Sequence, residues 1–341
     1  LVSYMNGRTQ KVTIGQATSR PRPLECDVPQ GSILGPLLFI MYTTPLGKIL
    51  RELNIEFHMC ADDTQLYLTS SMENIVNAKL HMERAVAVIK TWMATNLLKL
   101  NAEKTELVVI QTRSELDAVH DSLQLNLSCE TITPSPHARN IGVVVDSTLS
   151  LIPHISHVTK TLNLHLRNIK CIRPYLSQKA TETIVHALVS SRLDYANALL
   201  AGQPKCHLRS LQLAQNTAAR IVCRVRREEH ITPVLENLHW LPVETRIQYK
   251  LCLLTFKALH NLAPPYVSSM IQPYCPSRSL RSENGALLTI KQTRTQYGTR
   301  SFSVAGPVAW NALPMHLRQC ENLNDFKSKL KTHLFRCAFH I

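Results

Sequence analysis

Two adjacent carboxylates, Asp62 and Asp63, are the side chains of this sequence best suited to chemistry. Neighbouring like charges repel, and a tight turn leaves them little room to separate, so a bound cation would relieve them. Hard divalent ions such as Mg2+ take carboxylate oxygens and keep several waters that substrate phosphates can replace. A pair of such ions about 4 Å apart can clamp an in-line phosphoryl displacement. By itself an Asp-Asp pair is an ordinary solvated turn, so its weight depends on what surrounds it. Thiol chemistry has less to stand on. The ten cysteines come no closer than 17 positions, from Cys206 to Cys223 and from Cys320 to Cys337, and no C-x-x-C or Cys/His knuckle occurs. Scattered thiols of this kind fit a reduced, intracellular protein.

The elements that must hold the acidic pair are written in the periodicity. Ile55, Phe57 and Met59 alternate with Glu56 and His58, the period of a half-buried strand. Ala61-Asp62-Asp63-Thr64 predicts a tight turn, and Leu66-Tyr67-Leu68 the returning strand. Upstream, a weakly alternating stretch around Val12-Thr13-Ile14 suggests a strand pair, and Gln30-Gly31-Ser32-Ile33-Leu34-Gly35-Pro36 reads as a loop entering a helix. Downstream, Ser70-Ser71-Met72-Glu73 offers a capping box before Ile75, Met82, Val86, Ile89 and Met93, which recur at helical spacing. Strands are expected over 106–111 and 141–145.

From Pro153 the pattern becomes helical. Ile155, Val158, Leu162, Leu166 and Ile169 form one stripe, and two more helices are expected over 178–200 and 207–222. Residues 231–275 read as helices broken at Pro242 and Pro264-Pro265, and 276–310 as polar loops or short strands. A closing amphipathic helix is expected over 324–339, with Phe326, Leu330 and Leu334 inward and Lys327, Lys329 and Lys331 outward. No internal repeat is visible.

Composition narrows the classes. A length of 341 residues suggests two or three domains, and 45% hydrophobic with 18% charged residues is globular rather than disordered. Residues 28–47 carry no charge, but three prolines and three glycines interrupt them, so a buried segment fits better than a membrane span. No basic region followed by an apolar run marks a signal peptide. Charge is split unevenly along the chain. Residues 1–150 hold 13 Lys/Arg against 15 Asp/Glu, net −2, whereas residues 151–341 hold 25 against 9, net +16. That excess points to a polyanion partner, with nucleic acid the default and a membrane surface the lesser alternative. Sparse aromatics, 6%, limit the number of base-stacking platforms.

Taken in order, several blocks form a pattern. Pro29-Gln30-Gly31-Ser32-Ile33-Leu34-Gly35-Pro36 precedes Ala61-Asp62-Asp63-Thr64-Gln65-Leu66-Tyr67; Trp92-Met93, Asn96 through Asn101 and Lys104-Thr105-Glu106 follow, then Asn140-Ile141-Gly142-Val143. This succession resembles the reverse transcriptases of non-LTR (LINE-type) retrotransposons, most like the jockey and chicken-repeat clades. The blocks correspond to motifs B, C, D and E, the last being the primer grip. The resemblance continues through Ser191-Arg192-Leu193-Asp194-Tyr195, His239-Trp240-Leu241-Pro242-Val243 and Arg300-Ser301-Phe302-Ser303 to Trp310-Asn311-Ala312-Leu313-Pro314, so it covers essentially the whole chain.

The resemblance implies an α+β fold: a partial right-hand polymerase palm over 1–150, a helical basic thumb over 151–228, and a C-terminal region of helices and loops over 229–341. It implies RNA-directed DNA polymerisation by two-metal nucleotidyl transfer, with Mg2+ held by Asp62 and assisted by Asp63. Gln30, Gly31, Ser32 and Gly142 would face substrate and template; glycine at 31 would let backbone approach substrate closely. Lys104 falls on the motif D lysine, a candidate for charge neutralisation or proton donation at the leaving pyrophosphate. Lys160, Arg167, Lys170, Arg209, Arg220, Arg224, Arg226 and Arg227 would contact nucleic acid. The implied partners are an RNA template, a DNA primer or target, and dNTPs, with no membrane and no stable protein partner. The implied setting is intracellular, the nucleus for integration and the cytoplasm for assembly with element RNA.

Three departures weigh against activity of this chain alone. Asp27 stands where the family usually has glycine, Cys60 where it has an aromatic, and motif A, with its own metal-binding Asp, is expected upstream of Leu1. Two rival readings therefore stay open: a non-catalytic nucleic-acid-binding protein and a degenerate element remnant.

Overall fold

The computed structural model describes residues 6–24, 31–112, 123–127, 130–275 and 286–340, with only the backbone of Leu127 and Glu130. Two compact units emerge: Leu1–Leu107 with Val119–Pro134, and Val108–Ala118 with Ser135–Ile341. Helices and two-stranded antiparallel sheets make the fold α+β.

The first unit opens with four exposed two-residue strands: β1 (Thr9–Gln10), β2 (Thr13–Ile14), β3 (Ala17–Thr18) and β4 (Arg22–Pro23). They nest, β2 pairing with β3 and β1 with β4, which extends the strand pair read from the sequence. Helix α1 (Gly35–Glu52) starts where Pro36 can spare its N–H, and Pro45 inside it removes one helical hydrogen bond. Its inner face buries Thr43, Leu46, Gly47 and Leu50. At Gly47 a Cβ would stand 3.3 Å from the Phe57 ring, so the missing side chain lets α1 lie close on β5 (Glu56–Cys60). β5 pairs with β6 (Asp63–Tyr67), and α2 (Ile75–Thr95) completes a small core of Leu46, Leu50, Ile55, Ala85 and Ile89. His81 Nε2 meets the Leu53 carbonyl oxygen at 2.7 Å, and Tyr42 Oη donates to the Asn96 carbonyl at 2.6 Å, tying α1 to α2. β7 (Leu125–Leu127) and β8 (Glu130–Ile132) pair beyond, where the Asn126 amide donates to Glu83 Oε1 at 2.8 Å.

Two local expectations fail here. The capping box does not form: a 3-10 turn over Met72–Asn74 precedes α2, and the Ser70 hydroxyl donates to the Ser71 carbonyl instead. Residues 106–111 do not form a strand; Leu107 makes a single parallel bridge to Pro134. A short apolar run needs a neighbouring strand to become one, and periodicity does not supply it.

In the second unit, β9 (His137–Asn140) and β10 (Val143–Asp146) form a hairpin at the start of α3 (Ile152–Ile172). The expected strand over 141–145 is thus half turn, half strand. α4 (Gln178–Val185) continues through a π turn at His186–Ser190 into α5 (Ser191–Asp194). α6 (Lys205–Cys223) runs parallel to α3: the Thr159 and Ser210 hydroxyls meet at 3.1 Å near their starts, and Arg173 reaches the Ile221 and Val222 carbonyls at their ends. α7 (Thr232–Asn237), α8 (Val243–Leu259), α9 (Pro265–Ser268), α10 (Gln296–Arg300), α11 (Phe302–Asn311), α12 (Met315–Arg318) and α13 (Leu323–Phe339) follow.

α8 joins two apolar clusters. Its Ile247 and Leu251 share one with Leu162, Leu166 and Ile169 of α3 and Leu211 and Val222 of α6. Its Cys252 and Phe256 share the other with Trp310, Phe326, Leu330 and Leu334. Phe256 stacks on Phe326 with centroids 4.4 Å apart. Burial pushes the Cys252 thiol up to about 12, so it packs as an inert hydrophobe.

The helical stripe of α3 and the inward face of α13 are as the sequence predicts, and the Asn322 side chain caps α13. The expectation of loops up to 310 is corrected by α11. Gly306 and Pro307 are poor helix formers, yet Val304 and Trp310 are buried, and a Cβ at 306 would stand 2.9 Å from Thr255 Oγ1 of α8. Packing overrides propensity there. The two compact units divide near 135, and the β9–β10 hairpin groups with the helices that follow it.

Candidate functional site

Strand alternation builds the acidic tip. Ile55 is buried and Phe57 and Met59 half-buried against α1 and α2, so Glu56, His58 and Cys60 face the other way. Cys60 pairs with Asp63, which leaves Ala61 and Asp62 as a two-residue turn. Ala61 takes φ +54°, a left-handed conformation that costs a non-glycine residue about 1–2 kcal/mol. Strain at the tip is thus held by the ladder behind it. Asp62 and Asp63 are both exposed.

Their oxygens are the right kind of donor for a hard divalent ion. The number falls short: no group of three or more His, Cys, Asp or Glu among the described residues is arranged to hold a metal. Lys104 ends a 3-10 turn (Ala102–Lys104) and is exposed, and the structure brings it into neither hydrogen bond nor ion pair with Asp62 or Asp63. Gln30 and Asp27 lie outside the described residues. Gly31 takes φ +81° with no atom near the place of a Cβ, so its backbone conformation, not crowding within the protein, calls for glycine. The Ser32 hydroxyl accepts from the Gly35 amide at 3.1 Å and shapes the entry to α1.

Gly142 is a turn residue in the β9–β10 hairpin. Ile141 and Gly142 both have positive φ, +42° and +78°, as a two-residue hairpin turn of this hand requires. Tyr195 covers the turn, its hydroxyl donating to the Ile141 carbonyl, and a Cβ at 142 would stand 3.3 Å from its ring. At the hairpin's root, Asp146 accepts from Thr148 Oγ1 at 2.6 Å and from the Ser150 and Leu151 amides at 3.0 and 2.7 Å. Burial works against its charge, but these hydrogen bonds outweigh burial and hold its carboxyl below the ordinary aspartate range. His154 Nδ1 accepts from the Val144 amide at 3.4 Å; burial, with His157 nearby, holds this imidazole below its ordinary value. Arg300 donates to the Leu149 carbonyl at 2.7 Å and Gln203 to that of Ser150 at 2.8 Å. Both carboxylate oxygens of Asp194, next to Tyr195, accept from Arg246 Nη1, at 2.8 and 2.7 Å.

Sequence reasoning missed Asp146, Gln203 and Arg246 altogether. Asp-Ser-Thr-Leu-Ser at 146–150 is a local signal for side-chain-to-backbone bonding; Gln203 and Arg246 carry no local signal.

The basic residues sort into two groups. Lys160, Arg167 and Lys170 on α3, Arg209 on α6 and Arg226 and Arg227 beyond it are exposed. Arg220 instead turns onto the Arg226, Arg227 and Glu229 carbonyls, closing the loop after α6. Arg224 reaches the Arg173 carbonyl at 3.4 Å, and the Arg226 amide donates to Glu229 Oε1 at 3.0 Å. Among the described residues no helix is long and apolar enough to cross a membrane.

The acidic hairpin, the helix-entry loop before α1 and most of the β9–β10 hairpin all fall within residues 2–145, which match the family of reverse transcriptases (RNA-dependent DNA polymerases). That region is similar to the family's polymerases. The relatives it resembles are named as RNA-directed DNA polymerases of transposons and mobile elements. It is 25% identical over 241 residues, 65% of this chain, to "Probable RNA-directed DNA polymerase from transposon BS" of Drosophila melanogaster. It is 23% identical over 227 residues, 64% of this chain, to "RNA-directed DNA polymerase from mobile element jockey" of the same organism. The matched region is 25% and 24% of those relatives' lengths, so the chain spans about a quarter of each. No solved structure matches.

Proposed function

We propose that this chain is part of the RNA-directed DNA polymerase of a LINE-type element. In this reading residues 1–150 supply most of the palm, 151–228 the thumb, and 229–341 a C-terminal region that braces the thumb through α8 and the end of the palm, at Leu149, through Arg300. The observation that carries it is the hairpin tip: two exposed carboxylates, raised on a strained two-residue turn, inside the stretch that matches the family. Asp62 would ligate Mg2+ and Asp63 assist, with a further oxygen donor coming from beyond the described residues. The ions, once bound in the complete two-metal site, would neutralise charge on the phosphoryl oxygens. Gln30 and Gly31 would face the incoming dNTP beside the template, Ser32 would hold that loop, and Lys104 would offset charge on the leaving pyrophosphate. Gly142, under Tyr195, would set the shape of the primer grip. Lys160, Arg167, Lys170, Arg209, Arg226 and Arg227 would hold the phosphates of template and primer; Arg220 and Arg224 would act chiefly by shaping the loop after α6. Assembly with element RNA would take place in the cytoplasm and insertion in the nucleus.

A second reading, nucleic-acid binding without catalysis, is favoured by the two-carboxylate donor set and the +16 charge of residues 151–341. Primer extension separates the two. With primed RNA template, dNTPs and Mg2+, residues 1–341 alone should give no product above an Asp62→Asn control. Joined to the remaining length of one of its relatives, the chain should extend the primer. There Asp62→Asn should abolish extension while changing nucleic-acid affinity by less than about twofold, because the carboxylate acts on the transition state. Extension that survives Asp62→Asn in the joined enzyme would remove Asp62 from the site.

A further inference from the structure

We infer that Tyr175 is a stacking platform for an unpaired nucleobase, an inference that rests on the nucleic-acid reading above. Tyr175 is 89% exposed, an unusual position for a ring that could have been buried. It sits in the 3-10 turn Arg173–Tyr175 that ends α3, and that turn is fixed rather than loose. The Arg173 side chain is buried. It donates through Nε to the Ile221 carbonyl at 2.8 Å, through Nη2 to the Val222 carbonyl at 2.9 Å and through Nη1 to the Leu176 carbonyl at 2.7 Å. These bonds pin the turn to the carbonyl end of α6, where a cation also complements the helix dipole. Arg224 adds a bond to the Arg173 carbonyl from the other side. Pro174 holds the residue between at a set φ.

A ring presented on such a base loses little freedom when a ligand stacks on it. The charges along the chain around it indicate which ligand. Lys170 and Arg167 are exposed on the last turns of α3, just before the ring, and Arg224 reaches the turn itself. A flat apolar face among cations fits a base on the ring and its flanking phosphates on Lys170 and Arg167, the combination by which single strands are held without regard to sequence. A duplex keeps its bases stacked inside, so the site selects a single strand or an unpaired end.

The test compares two labelled strands of about 12 nucleotides by fluorescence anisotropy, oligo-uridine RNA and a strand of equal charge with abasic positions, on the 341-residue chain. Tyr175→Ala should weaken oligo-uridine binding about 5- to 10-fold, leave the abasic strand unchanged, and keep the salt slope, because no charge is lost. Tyr175→Trp should restore binding. Lys170→Ala should weaken both strands alike. Equal affinity of Tyr175→Ala and the parent chain for oligo-uridine overturns the site and leaves the ring to a protein contact, as does equal loss on both strands. Failure of the parent chain to bind either strand overturns the nucleic-acid reading, and this site with it.

Discussion

In the first unit five buried residues, Leu46, Leu50, Ile55, Ala85 and Ile89, support a hairpin that ends in two bare carboxylates. Leu37, Ile40, Met41, Val76 and Leu80 of its two helices remain in water. In the second unit two clusters joined through α8 bury Leu162, Phe256, Trp310, Phe326 and Leu330, and the cations stand on the surface of that mass. The difference is one of support. A large core tolerates the self-repulsion of many like charges spread over its surface. A small core holding a strained turn and two adjacent carboxylates has little stability to spare. The chemistry assigned to the first unit and the binding assigned to the second thus rest on unequal foundations, and each can be tested apart from the other.

The largest effect on the second unit should come from a cation that never meets a ligand. Arg173→Met leaves the Ile221, Val222 and Leu176 carbonyls without their donors, and should cost about 2–4 kcal/mol of unfolding free energy in a thermal or denaturant melt. A melt that does not move would mean that the α3–α6 packing alone holds this end. Next in size, Lys160, Arg167 and Lys170 changed together to Ala should weaken nucleic-acid binding. On B-DNA the slope of log affinity against log salt should flatten by up to about 0.9 for every phosphate these side chains no longer neutralise. Their side chains are exposed, so the melt should stay put; filter binding with an unchanged slope would take the α3 face out of the interface.

The smallest effect is a pH dependence of the second unit. His154 and Asp146 both have folded-state values below their unfolded ones, 6.5 and 3.8, so the unfolded chain binds more protons at each. Their contributions are complete above those values and are lost as pH falls through the lowered folded ones. Stability should therefore decline in two phases, the first beginning below about pH 6.5 with His154 and with His333, whose imidazole burial and nearby His316 also hold low, and the second below about 3.8 with Asp146. Asp146→Asn should remove the lower phase in a pH series of melts. Persistence of both phases in that variant would assign the acid sensitivity elsewhere.

Much of this was legible in the residues. The alternation of Ile55, Phe57 and Met59 ahead of Ala61-Asp62-Asp63 defined the hairpin and its exposed tip. The stripes at 155–169 and 326–334 defined α3 and the closing helix, because a local period of two or 3.6 needs only one apolar neighbour to be realised. The order of the motif blocks was enough to draw the resemblance to reverse transcriptases, and the matched stretch, 2–145, holds most of those blocks. Tertiary structure alone decided the rest. It made a helix across Gly306 and Pro307, since Gly306 fits against Thr255 and Pro307 is buried where propensity argued otherwise. It separated cations of identical type into exposed surface and internal brace: Arg167 faces water while Arg173 and Arg220 satisfy carbonyls. It also joined Ile141 to Tyr195 and Leu149 to Arg300, partners 54 and 151 positions apart. Periodicity records which side of an element is apolar. It holds no record of which distant polar group will be left needing a partner once the apolar sides have met, and only the packed chain decides that.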